Sequence, residues 1–178
     1  MISRRWTLGG SAAVVCCAVT PLIASAESES RTVQVSATIL PRLELSVTPD
    51  TGSTIAFGAV TQPAPGETAT HSVAVNLRVF SNLDRPYQVT HMIRRPLTNA
   101  AGNTIPDTQF LVATHAGARG ELRAPTPAPI IPGIPATLYE SNARGNSDTF
   151  VANYSLAVTP ATPSGNFATE VVYTVTSL

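Results

Sequence analysis

Three histidines (His71, His91 and His115), eleven carboxylates and two cysteines are the residues of this 178-residue chain that could carry acid–base, metal or thiol chemistry. No histidine stands in an H-x-H or H-E-x-x-H pair. A metal site would therefore need strands to bring His71 and His91 together, and scattered surface or core histidines are the simpler reading. The carboxylates run from Glu27 to Glu170 without the spacing of a calcium loop. Two could meet in space as a glycosidase pair. Turn and cap chemistry explains Asp50, Asp84 and Asp148 equally well. The G-x-S-x-G nucleophile elbow and the glycine-rich phosphate loops are absent, and there is no lysine. These absences predict a protein that is not an enzyme, with no catalytic, cofactor-binding or metal-binding residues to assign. Eleven arginines against eleven acids give zero formal charge, which lacks the basic footprint of a nucleic-acid binder.

Both cysteines, Cys16 and Cys17, lie in a segment that reads as an export signal. Arg4 and Arg5 form a positive start, residues 8–23 are apolar and small, and Ala24-Ser25-Ala26 matches the small-x-small cleavage pattern, with Ala24 and Ala26 as its small residues. Cleavage is expected after Ala26. Gly9, Gly10 and Pro21 interrupt the apolar run, so no transmembrane helix is expected to be retained. The stretch Ser3-Arg4-Arg5-Trp6-Thr7-Leu8 is close to a twin-arginine signal, but Thr7 stands where that motif has a large apolar residue. The mature chain, residues 27–178, then has no cysteine, no tryptophan and a net charge of −2 from nine arginines and eleven acids.

The elements that must position any site read as strands. Fifteen prolines spread along the chain argue against a helical fold. Period-two alternation runs through Val33, Val35, Ala37 and Ile39, through Val73 to Val79, and through Phe150 to Val158. The spacing predicts strands over 32–40, 43–48, 69–80, 86–93, 149–158 and 166–176. Turn residues such as Pro49-Asp50-Thr51-Gly52 and Pro160 to Gly165 separate them. The fold class is all-β, a single immunoglobulin-like sandwich. Five prolines between Ala124 and Ala136 read as a long connection inside one domain that could cross between the sheets. The organisation is a signal peptide (1–26), an N-terminal extension that is a donor strand or a first strand (27–41), and a β-sandwich domain (42–178).

The two ends carry the functional clue. The mature chain opens on T-V-Q-V-S-A-T-I-L-P-R-L-E-L-S-V and finishes on P-S-G-N-F-A-T-E-V-V-Y-T-V-T-S-L. The first stretch resembles the start of chaperone–usher pilins of the alpha, colonisation-factor class, which begin with an alternating strand and a second strand after a proline. The second is similar to their terminal hairpin. The likeness covers about thirty residues at the two ends and matches the middle only in strand pattern. It implies a sandwich that lacks its last strand and is completed by strand exchange with a neighbouring copy.

On that reading Val33, Val35, Ala37 and Ile39 are the donor side chains. Phe167, Val171, Tyr173 and Val175 lie on the strand that borders the acceptor groove. The partners implied are further copies of the chain, a periplasmic chaperone and an outer-membrane usher. The location implied is the periplasm and then the cell surface as a fimbrium. The alternative is a closed, monomeric, secreted binding or coat module in which 32–40 is simply the first strand.

Overall fold

Alternation of β-branched and aromatic residues with small polar ones builds almost every element of the protein, because each strand then offers one face to a core and one to water. The computed structural model describes residues 29–178. The expected signal peptide with Ala24 and Ala26 lies outside them. The chain divides after Thr38 into two units, and both sheets belong to the second.

The strands are β1 (Leu43–Pro49), β2 (Ala69–Ser81), β3 (Tyr87–Ile93), β4 (Phe110–His115), β5 (Glu121–Leu122), β6 (Ala128–Pro129), β7 (Ala136–Glu140), β8 (Asp148–Val158) and β9 (Val171–Ser177). A single 3-10 turn, Asp107–Gln109, leads into β4. One sheet has the order β1-β2-β8-β4-β6 and the other β5-β7-β3-β9. Every ladder is antiparallel. The two sheets pack as a sandwich and do not close into a barrel. The order β1-β2-β8-β4 is the A-B-E-D order of an immunoglobulin sandwich, and β3-β9 is its C-F pair. Among the described residues no strand lies beyond β9, where strand G would pair.

The core lies between the inner rows. Val75, Leu77 and Val79 of β2, Phe150, Ala152 and Tyr154 of β8, and Tyr87, Val89 and Ile93 of β3 are all buried. Tyr139 stacks on Phe150 with ring centres 4.7 Å apart. No helix among the described residues is long and apolar enough to cross a membrane.

Three expectations need correction. Residues 29–42 carry no strand, although 32–40 alternates cleanly. Alternation supplies a face, but a strand also needs a backbone partner for its N–H and C=O groups. The last strand begins at Val171 rather than 166, so Phe167 precedes it. Segment 159–170 is held instead by an isolated bridge between Thr98 and Ala168, and by the Asn99 side chain donating to the Ser164 carbonyl at 3.1 Å. Strands β4 and β7 were not expected. In β7 the adjacent Leu138 and Tyr139 are both buried, because the pairing with β3 shifts register between Val89 and Thr90. That shift erases the alternation. The proline-rich stretch does cross between sheets: β5 and β7 lie in one and β6 in the other.

Candidate functional site

The three histidines stay apart. His115 is exposed at the end of β4, His71 is half-buried on β2 and His91 is buried on β3. Among the described residues no three His, Cys, Asp or Glu side chains gather as a metal site. The Nδ1 of His91 lies 3.0 Å from the hydroxyl of Tyr154. Burial lowers its pKa to about 4, so the ring is neutral near pH 7.

Asp148 is the carboxylate with the fullest set of partners. The Tyr139 hydroxyl donates to its Oδ2 at 2.7 Å, as do the backbone N–H groups of Ala118 and Arg119, and the Thr149 N–H donates to Oδ1. Burial alone would raise its pKa. The Tyr139 hydroxyl and the three N–H donors outweigh burial and hold it below the usual carboxylate range. Both oxygens are thereby committed to pinning the loop before β5 against β7 and β8. The remaining ion pairs, such as Arg94–Glu170 and Arg123–Glu121, lie on the surface and contribute little.

The region that stands out is the side of the sandwich where β1 and β9 form the free edges of the two sheets. The inner rows of β3 and β4 and the apolar inner row of β8 are buried. On these two strands the inner rows are only half-buried: Leu43, Leu45 and Val47 on β1, and Val171, Tyr173 and Val175 on β9. At the Val171 end the seam opens into a cavity of about 1000 Å³. Its apolar lining includes Ile55, Phe57, Val60, Leu97, Phe167 and Val171. The segment between β1 and β2 forms one wall, and Phe57 meets Phe110 edge-on at 6.1 Å. The segment before β9 forms the other. Its Gly165 adopts φ 138°, and a Cβ there would press on the Asn99 side chain at 2.7 Å.

Electrostatics and edge chemistry single out β9. Sheet edges are normally blunted by brevity, charge, proline or a bulge. β5 and β6 are two residues long, and β1 carries Glu44 and Pro49. β9 has seven residues, no charge, no proline and an unbroken register with β3. Its hydroxyl at Tyr173 is buried without a partner among the described residues, and burial pushes that pKa up to about 12. The arrangement is suited to accept one more strand, with backbone groups from β9 and an apolar trough beneath.

Of the acceptor residues expected from sequence, Phe167 and Val171 line the cavity, while Tyr173 and Val175 continue along β9; all four pack on the core. The expected donor residues Val33, Val35, Ala37 and Ile39 are exposed in a segment without secondary structure. Sequence reasoning missed Ile55, Phe57 and Val60. Their signal was alternation at 55 and 57, hidden between two turn clusters. No known protein family matches the chain, and no curated protein matches it.

Proposed function

We propose that this protein is a structural subunit of the fimbrial type, assembled when the segment 32–40 of one copy enters the β9 edge of another. The observation that carries the reading is the free, uncharged β9 edge above a half-buried apolar row. The alternating segment 32–40, whose apolar residues are exposed, supports it. So does the likeness of both chain ends to alpha-class pilins. Each Val or Ile moved from water into the groove contributes about 1.5–3 kcal/mol, and a backbone ladder adds to that. Such a joint would dissociate slowly. On this reading the chain is exported, is met by a periplasmic chaperone and usher, and ends on the cell surface without catalytic activity.

The test uses the full chain exported from cells and run on gels without boiling. The wild type should give a ladder of SDS-resistant multimers. Val35→Asp places a charge in the middle of the donor row and should abolish the ladder, leaving the unfolding midpoint of the monomer unchanged. A wild type that stays monomeric, with a midpoint that falls on substitution of Val35, would instead make 32–40 a strand of its own closed sandwich.

A further inference from the structure

The register of the joint can be read from side-chain sizes, polar rows and the residues that flank the donor. This inference rests on the reading above. The inner row of β9 is Val171, Tyr173 and Val175, and its outer row includes Thr174 and Thr176, both exposed. The donor row is Val33, Val35, Ala37 and Ile39, with Gln34, Ser36 and Thr38 on its other face. Directly opposed side chains on paired strands stand about 4.5–5.5 Å apart at Cβ, so the small member of one row belongs beside the largest of the other. Ala37 is the small donor residue, and Tyr173 is the largest residue on the acceptor row.

We propose that the segment 32–40 of a second copy pairs antiparallel with β9, with Ala37 opposite Tyr173, Ile39 opposite Val171 and Val35 opposite Val175. This alignment carries Ile39, the largest donor side chain, to the end where the apolar cavity of about 1000 Å³ opens. On the outer face it sets Ser36 beside Thr174 and Gln34 beside Thr176. These pairs extend the polar rows that β3 already begins, since Thr90 faces Thr174 and Gln88 faces Thr176. Cross-strand hydroxyl pairs of this kind are favourable.

The flanking residues decide the direction. In the antiparallel alignment Pro41 falls opposite Thr169, before β9 begins, where its missing N–H breaks no ladder bond. Arg31 falls past Ser177, at the end of β9 remote from the cavity. A parallel alignment with Ala37 still beside Tyr173 reverses both. Pro41 would then sit inside the ladder opposite Ser177. Arg31, which shares the inner face with Val33, would be driven against Phe167 in the apolar cavity. Arg31 pairs with Glu29 only at the exposed surface, and carrying that guanidinium into an apolar cavity is strongly unfavourable. Shifting the antiparallel strand by two residues also fails, because it sets either Ile39 beyond the start of β9 with Arg31 opposite Ser177, or Pro41 beside Val171.

Cysteine pairs read the register directly. In the full chain carrying Cys16→Ser and Cys17→Ser, no thiol remains. Copies with Ser36→Cys are mixed with copies carrying Thr174→Cys, assembled, oxidised and mapped by mass spectrometry of cross-linked peptides. A second mixture pairs Thr38→Cys with Thr174→Cys. All three positions are on outer faces, so the substitutions spare the core. Disulfides need Cβ atoms about 3.5–4.5 Å apart, and diagonal neighbours stand at about 7–8 Å, so the 36–174 link should exceed the 38–174 link by about tenfold. A dominant 38–174 link overturns this register while leaving strand exchange intact. Monomers with no link from either mixture overturn both.

Discussion

Acid should destabilise the sandwich through one residue, His91. Its side chain is buried, with 1 % exposure, between the two sheets. The groups that face it are the Tyr154 hydroxyl on β8 and Tyr173, its neighbour on β9, with Ala136 on the β7 side. Both tyrosines are pushed up by burial, Tyr173 to about 12, so neither supplies a negative charge at acid pH. Protonating His91 in the folded state is therefore opposed, and its pKa falls from 6.5 to about 4. The unfolded chain binds this proton as pH drops through 6.5, and the folded chain does not until about 4. Stability is thus lost as pH falls across that window. Linkage gives a loss of about 2 kcal/mol between pH 7 and pH 5, and about 3 kcal/mol by pH 4. The assay is urea unfolding at several pH values, for wild type and His91→Asn. Asparagine offers Tyr154 an acceptor near the Nδ1 position and does not titrate. Asp148 is held below the usual carboxylate range, so its stabilisation is intact above pH 5 and the comparison isolates His91. If His91→Asn loses as much stability as wild type between pH 7 and 5, the reasoning is refuted.

Two further substitutions test the packing around the groove and behind it. Tyr173→Phe removes a hydroxyl that is buried near that of Tyr154 and makes no hydrogen bond among the described residues, so the urea midpoint should hold or rise, by up to about 1 kcal/mol of stability; a clear drop would show that Tyr154 is its partner. Gly120→Ala should cost more than about 2 kcal/mol, because its Cβ would collide with the Glu140 carbonyl and the Tyr139 hydroxyl that holds Asp148. An alanine variant with the wild-type midpoint would show that this loop yields.

Legibility in the sequence followed the simplicity of the local rule. β2, β3 and β8 keep strict alternation over a core that is buried on one face, and their bounds could be read to within a residue or two. β7 could not be read, because the register shift beside Val89 buries Leu138 and Tyr139 together. The sequence pattern predicts Phe167 on a strand over 166–176, but the bridge at Ala168 and the Asn99 clamp hold that stretch as a loop. Phe57 and Ile55 escaped because they stand in a loop with no strand ladder of their own, although Phe57 packs on Phe110 at the start of β4. The segment 32–40 shows the deeper limit. Its alternation specifies a face, and no local pattern names which backbone that face will join.

Two independent features of the acceptor side meet at β9, and neither follows from the other. Burial falls from complete on the inner row of β3 to partial on the inner row of β9, which is the signature of a row with one neighbour too few. Edge chemistry is a separate matter of charge, proline and length, and β9 is the free edge that lacks every one of these protections. A closed monomer would gain from a lysine, a proline or a bulge on that strand at no cost to its core. A subunit that must admit a partner can carry none of them, because a charge or a proline there would break the same ladder the partner has to make. On the donor side, Arg31 and Pro41 bracket the uncharged run 32–40, so the charge and the missing N–H fall where the proposed ladder ends. The match between an unprotected edge and a bracketed strand is what a closed sandwich leaves without a physical cause.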